Sequence, residues 1–267
     1  MPAVRERMVH GRRDVREVLR YQKNPDAFAE FLDQQGVLRA GLVNYVAPDL
    51  MGFTWHANEF AAAYRDAHPD KFFAYGSVHP RLSKDPKGEM QKLISKLKVD
   101  ALKIHPPHQL AYANGYLDGS APGLKVIYGM AQDAGLPVTI HTGTSVFPGA
   151  RNRFGDPIHV DDVAIDFPDL TIVLAHGGRP LWTSTAFFLV RRHKNVFLDL
   201  SGIPPGSLME SFPRLEKIAD RCMFGSDWPG PGVKSIRANA RAVSQLPLSS
   251  DALDYILRRT AARVFPA

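Results

Sequence analysis

TIVLAHGG, residues 171–178, is a short apolar run that ends in a histidine followed by two glycines. Two earlier runs share this form, because ALKIH (101–105) and PVTIH (137–141) also end in histidine. Their β-branched and aliphatic residues are typical of strands that are buried on both faces of a parallel sheet. Each run therefore predicts one strand, with a histidine at its carboxyl end.

Seven runs of this kind occur along the chain, and stretches with helical periodicity separate them. The runs are Leu42–Val46, Phe72–Val78, Ala101–His105, Pro137–His141, Thr171–His176, Val196–Leu200 and Cys222–Ser226. Strands that alternate with helices predict βα units and a parallel sheet. Seven units within 267 residues predict an α/β fold, a TIM-type (β/α) barrel that forms a single domain over residues 1–267. An open doubly wound sheet is the alternative, but the glycine-rich phosphate loop that it usually carries is missing from the sequence.

The segment before Pro25 does not supply the eighth strand that a closed barrel requires. Residues 1–23 are rich in arginine and contain no buried-strand pattern, so we interpret them as a basic remnant of the first βα loop. The first strand is therefore expected to be missing or degenerate. The predicted helices are Pro25–Gln35 (capped by Asn24 and ended by Gly36), Asn58–His68, Lys87–Leu97, Gly123–Ala134, Val160–Phe167, Leu181–His193, Leu208–Ile218, Ser235–Gln245 and Asp251–Phe265.

Net charge, the length of apolar runs and the cysteine count indicate which kinds of partner and location to expect. The net charge of +6 is spread along the chain and no aromatic-interleaved basic stretch accompanies it, so we expect a small anionic organic substrate and no nucleic acid. No apolar run approaches the ~20 residues that span a bilayer, so we expect no membrane partner. The single cysteine, Cys222, fits a reducing compartment, and we expect a cytoplasmic location.

Ionisable residues follow several predicted strands at the same point. Lys103 and His105 end the third run, His141 the fourth and His176 the fifth, and Asp227 follows the seventh. In a barrel the carboxyl ends of the strands meet on one face, where active sites lie. Two imidazoles and one carboxylate match the ligands of a catalytic zinc ion, and aspartate and histidine can also transfer protons. His141, His176 and Asp227 are therefore the predicted reactive core, whereas structural histidines and a turn-capping aspartate are the alternative.

Further polar and aromatic residues are candidates for substrate contacts. Lys103 and His105 share one side of their strand because they lie two residues apart, and arginines on loops suit the binding of a carboxylate. Trp228 can stack on a planar substrate or wedge the barrel rim. The predicted substrate-binding residues are Lys103, His105, Arg151, Arg153, Arg179 and Trp228.

Several motifs carry a family resemblance. VTIHTG, LAHGG, MFGSDWP, LKIHP and ILRRTAARVF resemble the amidohydrolase-related family that includes aminocarboxymuconate-semialdehyde decarboxylase, resorcylate decarboxylases and lactone hydrolases. The resemblance implies that His141 is a metal ligand, that His176 is a catalytic histidine or a further ligand, and that Asp227 is a ligand and proton carrier. It also implies a divalent metal, zinc in our prediction, and a homodimer.

One departure from the family pattern concerns the metal. The family's first strand carries His-x-His, which supplies two metal ligands, and this chain contains no His-x-His. Either the sequence begins downstream of that strand or the chain is a natural variant. We predict a metal-dependent hydrolase or non-oxidative decarboxylase, with hydrolase favoured, that acts on a small carboxylated cyclic or aromatic-derived substrate. The alternative is a metal-free or inactive barrel that binds a ligand or partner.

Overall fold

The computed structural model describes residues 14–230, 233 and 235–265. Within them seven parallel strands form one curled sheet in which each strand pairs with the next along the chain, which confirms the predicted (β/α) barrel class. His10 and most of the predicted basic segment lie outside the described residues. The strands are β1 (Ala40–Leu42), β2 (Phe72–Gly76), β3 (Ala101–Ile104), β4 (Val138–His141), β5 (Ile172–Ala175), β6 (Val196–Asp199) and β7 (Cys222–Met223).

Helices connect the strands and cover the outside of the sheet. They are α1 (Val15–Lys23), α2 (Pro25–Gln35), α3 (Pro48–Met51), α4 (His56–Ala67), α5 (Pro86–Ser95), α6 (Pro106–Gln109), α7 (Gly123–Asp133), α8 (Val160–Asp166), α9 (Thr183–Arg192), α10 (Leu208–Ser211), α11 (Ile236–Val243), α12 (Ser250–Asp254) and α13 (Thr260–Val264). A π-helical turn, Tyr255–Arg259, joins the last two. No helix in the described part of the chain is both long and apolar enough to cross a membrane.

Most predicted helices are confirmed to within a few residues, and two differences have physical reasons. α2 has the predicted bounds, with the Asn24 side chain accepting from the N–H of Ala27 and Gly36 in the left-handed region. The predicted helix Leu208–Ile218 is broken, because Pro213 forces the residue before it out of the helical region; α10 ends there and a 3-10 helix, Leu215–Arg221, follows. α1 was not predicted.

Alternation along the strands separates the core into two layers. Leu102 and Ile104 of β3 pack outward in the large cluster that includes the helices. Ala101 points inward and belongs to a second cluster with Phe73, Val173 and other barrel-lining residues. Because side chains alternate in direction, Lys103 shares the inner side with Ala101. Lys103 therefore points into the interior of the barrel.

Among the described residues, side chains rather than a strand lie between β1 and β7. Each of these strands has one strand neighbour among the described residues. Residues of β1 and of the chain after β7 instead share a cluster with α2. We define the aromatic seam as Tyr21, Phe28, Phe31 and Trp228, whose rings contact one another at centroid distances of 4.9–6.1 Å. The N–H of Phe224, after β7, donates to the carbonyl of Ile256 in the π-helical turn, so the C-terminal helices also cover this edge.

Phe265 packs in the inner core of the barrel, and its replacement by alanine is expected to destabilise the folded protein. It is 8% exposed, and its ring lies 4.8 Å from that of Phe73. We expect Phe265→Ala to lower the free energy of unfolding by about 3 kcal/mol, because a buried aromatic side chain is lost and a cavity remains. Phe188→Ala is the matched control, since Phe188 is 48% exposed, and it should cost less than about 1 kcal/mol. Equal urea midpoints for the two variants would contradict the assignment.

Candidate active site

The predicted reactive residues lie together at the carboxyl ends of the strands. His105 follows β3, His141 ends β4 and His176 follows β5, and each is more than nine-tenths buried. Lys103 interacts electrostatically with all three histidines and with Asp227. The structure therefore brings Lys103, His105, His141, His176 and Asp227 into one cluster.

Four imidazoles form a stacked row, which we call the imidazole row: His108, His105, His141 and His176. The His105 ring lies between those of His108 and His141, with centroids 3.7 and 3.9 Å away and nearly parallel planes. His176 meets His141 edge-on at 4.8 Å. Burial, followed by the positive charges of neighbouring groups, holds the pKa of His105, His141 and His176 well below the usual range. All three are therefore neutral at neutral pH.

His108 extends the row, and sequence reasoning did not include it. It lies on α6, three residues after His105, and its Nδ1 and Nε2 are each 2.7 Å from a hydroxyl oxygen, those of Tyr45 and Ser145 respectively. The Tyr45 ring also packs on His105 at 4.6 Å. The i, i+3 spacing of the two histidines on a short helical turn is the signal that could have identified His108.

His176 is held in one orientation by the end of β6. Its Nδ1 lies 3.0 Å from the carbonyl oxygen of Ser201 and 2.9 Å from the Ser201 hydroxyl. That hydroxyl donates to Asp199 Oδ2 at 2.6 Å, and Asp199 Oδ1 accepts from the Ser201 N–H at 2.9 Å. Because the carbonyl can only accept, Nδ1 carries the proton and Nε2 is left as an acceptor.

Glycine permits the close approach on which this network depends. A Cβ at Gly225 would lie 2.1 Å from Asp199 Oδ1. The turn after β5 also needs glycine, because His176, Gly177 and Gly178 are all in the left-handed region. In both the GSD and the AHGG motif, glycine is required because a side chain would clash or strain the backbone. The two motifs place the side chains of Asp227 and His176 at the carboxyl end of the barrel.

Asp227 is the most accessible member of the cluster. More than a third of its surface reaches solvent, and its φ of 54° is in the left-handed region. Desolvation, opposed by Lys103 and supported by Asp199, raises its pKa to about 6. A carboxyl group that titrates near neutral pH can both accept and donate a proton under ordinary conditions.

Two cations lie near Asp227. Burial lowers the pKa of Lys103 to about 8, although Asp199 and Asp227 oppose this effect. Arg179 interacts with the same two carboxylates, donates from Nη1 to the carbonyl of Thr144 at 3.2 Å, and has a buried Nε without a hydrogen-bond partner. The site thus offers cationic donors next to a proton-transferring carboxylate.

Three predicted substrate-binding residues occupy other positions. Arg151 and Arg153 are exposed on the loop after β4, and the Arg153 guanidinium lies over the Phe154 ring at 4.8 Å. Trp228 packs its ring against Phe28 and Phe31 in the aromatic seam. None of the contacts described for these three side chains reaches the imidazole row, so their substrate roles stay predictions.

The residues present do not fit the predicted zinc site. His141 Nε2 and His105 Nδ1 are buried and lack hydrogen-bond partners, which is compatible with at most two ligands. In the described ranges, no group of three or more histidine, cysteine, aspartate or glutamate side chains is arranged to hold a metal ion. A catalytic zinc ion takes three protein ligands, and the described side chains are not arranged as such a set, so the ligand roles of His141, His176 and Asp227 stay predictions.

The buried histidines predict a loss of stability in acid. Burial lowers the pKa of His108 to about 4, whereas an unfolded histidine has a value of ~6.5. The unfolded chain therefore binds the proton first, and stability is full above pH ~6.5 and falls as the pH decreases towards about 4. We expect His108 alone to cost about 1 kcal/mol at pH ~5.5, as measured by urea unfolding at that pH and at pH ~7.5.

Two variants test the source of this pH dependence. His108→Gln should show a smaller decrease in stability between the two pH values than the wild type. His56→Gln should show the wild-type decrease, because the His56 side chain is 81% exposed. A wild-type pH dependence in His108→Gln would contradict the explanation.

Almost the whole chain matches one protein family. The amidohydrolase model (Amidohydro_2) matches residues 7–267. The chain belongs to the amidohydrolase family. No curated protein sequence matches the chain.

Solved structures share the amidohydrolase fold of this chain. The TIM-barrel protein Bb4693 from Bordetella bronchiseptica is 24% identical, with a TM-score of 0.77, 98% of this chain covered and 90% of that chain. The 2,6-dihydroxybenzoate decarboxylase from Rhizobium is 17% identical, with a TM-score of 0.70 and coverages of 99% and 95%. A dihydroxybenzoic acid decarboxylase from Polaromonas sp. JS666, which contains manganese and 2-nitroresorcinol, is 17% identical, with a TM-score of 0.64 and coverages of 90% and 85%. At these identities the likeness establishes the fold.

Proposed function

We propose that this amidohydrolase is a hydrolase or non-oxidative decarboxylase that acts on a small carboxylated cyclic or aromatic-derived substrate. The observation that supports this proposal best is Asp227, a solvent-accessible carboxyl group with a pKa raised to about 6, beside Lys103 and Arg179. The solved decarboxylases of the same fold, which by name act on aromatic carboxylates, add support for this substrate class.

In the proposed reaction, side chains of the protein bind the substrate and transfer the protons. Lys103 and Arg179 attract the substrate carboxylate and orient it by charge. In hydrolysis, the Asp227 carboxylate takes a proton from the attacking water; in decarboxylation, protonated Asp227 delivers one to the carbon that loses CO₂. His176, whose Nδ1 is bound by Ser201, offers Nε2 as an acceptor that helps to orient water or a substrate hydroxyl.

Substrate turnover is the direct test. The purified protein is assayed with 2,6-dihydroxybenzoate, 5-carboxyvanillate and a carboxylated cyclic lactone, with release of CO₂ and ring opening measured separately. Turnover of any one, lost in Asp227→Asn, supports the proposal and assigns hydrolase or lyase activity. Binding without turnover across the panel would instead favour a barrel that binds a ligand or partner.

The metal and the oligomer need their own measurements. We expect turnover to persist after chelation, because the described residues do not form a three-ligand site. Activity that disappears with chelator and returns with manganese or zinc would overturn the side-chain chemistry. The homodimer is proposed on family grounds, and light scattering of the purified protein measures it.

A further inference from the structure

Lys103 is a buried lysine with no ion-pair partner among the residues that the structure describes. It is 4% exposed, and its ammonium forms no hydrogen bond or salt bridge with a described residue. Asp199 and Asp227 act on it through their charges but not through contact. It is also the common electrostatic neighbour of the imidazole row, since its charge acts on each of the row's four members.

A buried ammonium without a partner lowers the stability of the folded protein. Moving a charged ammonium from water into a protein interior without a partner costs several kcal/mol, and the group responds by giving up its proton. Consistent with this, burial lowers the pKa of Lys103 to about 8, so part of the population holds a neutral amine near neutral pH. A neutral buried amine is a nucleophile for carbonyl carbon.

The neighbourhood of Lys103 contains the other groups that amine chemistry needs. Asp227 is a carboxyl group that is exposed to solvent and lies near enough to Lys103 to act on it by charge. Arg179 offers a second cation with a buried, unpartnered Nε, which can hold a carboxylate after the Lys103 amine has become neutral. The surroundings of Lys103 therefore combine a nucleophile, an acid and a carboxylate binder.

We propose that Lys103 forms an imine with the ketone of a 3-oxo carboxylate substrate and so serves as the electron acceptor for decarboxylation. This inference rests on the proposed function and specifies its substrate class, a carboxylate with a ketone at the β position. It makes Lys103 a catalytic residue rather than only a charge that binds substrate.

The reaction balances with the groups at the site. Lys103 Nζ attacks the ketone carbon, and the carbonyl oxygen leaves as water with one proton from the amine and one from the Asp227 carboxylic acid, giving a protonated imine. The bond to the carboxylate breaks, CO₂ departs, and its electron pair moves to the imine nitrogen as an enamine. Solvent reprotonates Asp227, which protonates the enamine carbon; water then adds, the ketone product is released and the Lys103 amine is restored.

Reductive trapping tests for the imine. The full-length protein is incubated with acetoacetate and sodium cyanoborohydride, and intact mass and peptide mapping follow. We expect a mass gain of one isopropyl or one carboxylated isopropyl group, located on Lys103. The adduct should be lost in Lys103→Met and retained in Lys125→Met, because Lys125 is exposed on α7. No adduct, or an adduct confined to other lysines, would overturn the proposal.

Lys103→Arg separates covalent chemistry from simple charge. Arginine keeps the cation but cannot form the imine under these conditions, so we expect at least a hundredfold loss of acetoacetate decarboxylation. Retained decarboxylation in Lys103→Arg would show that the charge suffices and would overturn the inference. If trapping fails while another substrate is turned over in an Asp227-dependent manner, only the imine inference fails; if both fail, the proposed function fails too.

Discussion

Asp227→Asn is expected to lower kcat/KM by 10²–10⁴-fold on any substrate that the protein turns over. The amide keeps the size of the carboxyl group but cannot accept or deliver a proton, and Asp227 is the accessible carboxyl group with its pKa raised to about 6. Steady-state rates of the variant and the wild type, together with circular dichroism spectra of both, measure the effect on a folded protein.

A carboxylate at the opposite end of the barrel provides the control. Asp169 is exposed in the turn before β5, so Asp169→Asn changes the net charge by the same amount without touching the site. We expect wild-type kinetics from this variant. Comparable losses in the two variants would show that charge, not proton transfer by Asp227, determines the rate.

Gly225→Ala is expected to reduce kcat/KM at least a hundredfold while the protein stays folded. The new methyl group would meet Asp199 Oδ1 at 2.1 Å, so the carboxylate must move away from Ser201. The Ser201 hydroxyl then loses the acceptor that holds it beside His176 Nδ1, so the imidazole shifts, and a catalytic group displaced by an ångström can cost this much.

Gly129→Ala is the matched control for this effect. Gly129 lies in α7, where an added Cβ has its nearest neighbour at 4.0 Å, so alanine fits and should stabilise the helix by up to about 1 kcal/mol. Its kinetics should equal those of the wild type. Normal activity in Gly225→Ala would mean that the Asp199–Ser201–His176 contacts do not matter for turnover.

The sequence predicted the parts of the site that follow from local pattern. Buried-strand runs that end in His105, His141 and His176 predicted both the strands and the convergence of these side chains, because parallel strands in a barrel share one carboxyl face. Tyr45 and His108 were not predicted as site residues, since their contact joins positions 63 residues apart and no local period encodes it.

Other differences arise from tertiary packing. Trp228 was predicted as a substrate contact or a rim wedge, and its observed place depends on Phe28 and Phe31 of α2, which no pattern near Trp228 reveals. The helix Val15–Lys23 lies in a stretch rich in charge, and none of its residues is fully buried. The Tyr64 hydroxyl bonds the carbonyl of Tyr21 in this helix, a contact that links distant parts of the chain.

The aromatic seam affects which substitutions this enzyme can accept during evolution. A barrel closed by hydrogen bonds all the way round must keep strand number, tilt and stagger mutually consistent. Where rings of α1, α2 and the Asp227 loop take the place of a ladder, substitutions can alter the width of the mouth without shifting any strand register. A library confined to Phe28, Phe31 and Trp228 therefore tests whether this seam, next in sequence to Asp227, influences the substrate range, because none of the three residues belongs to a strand.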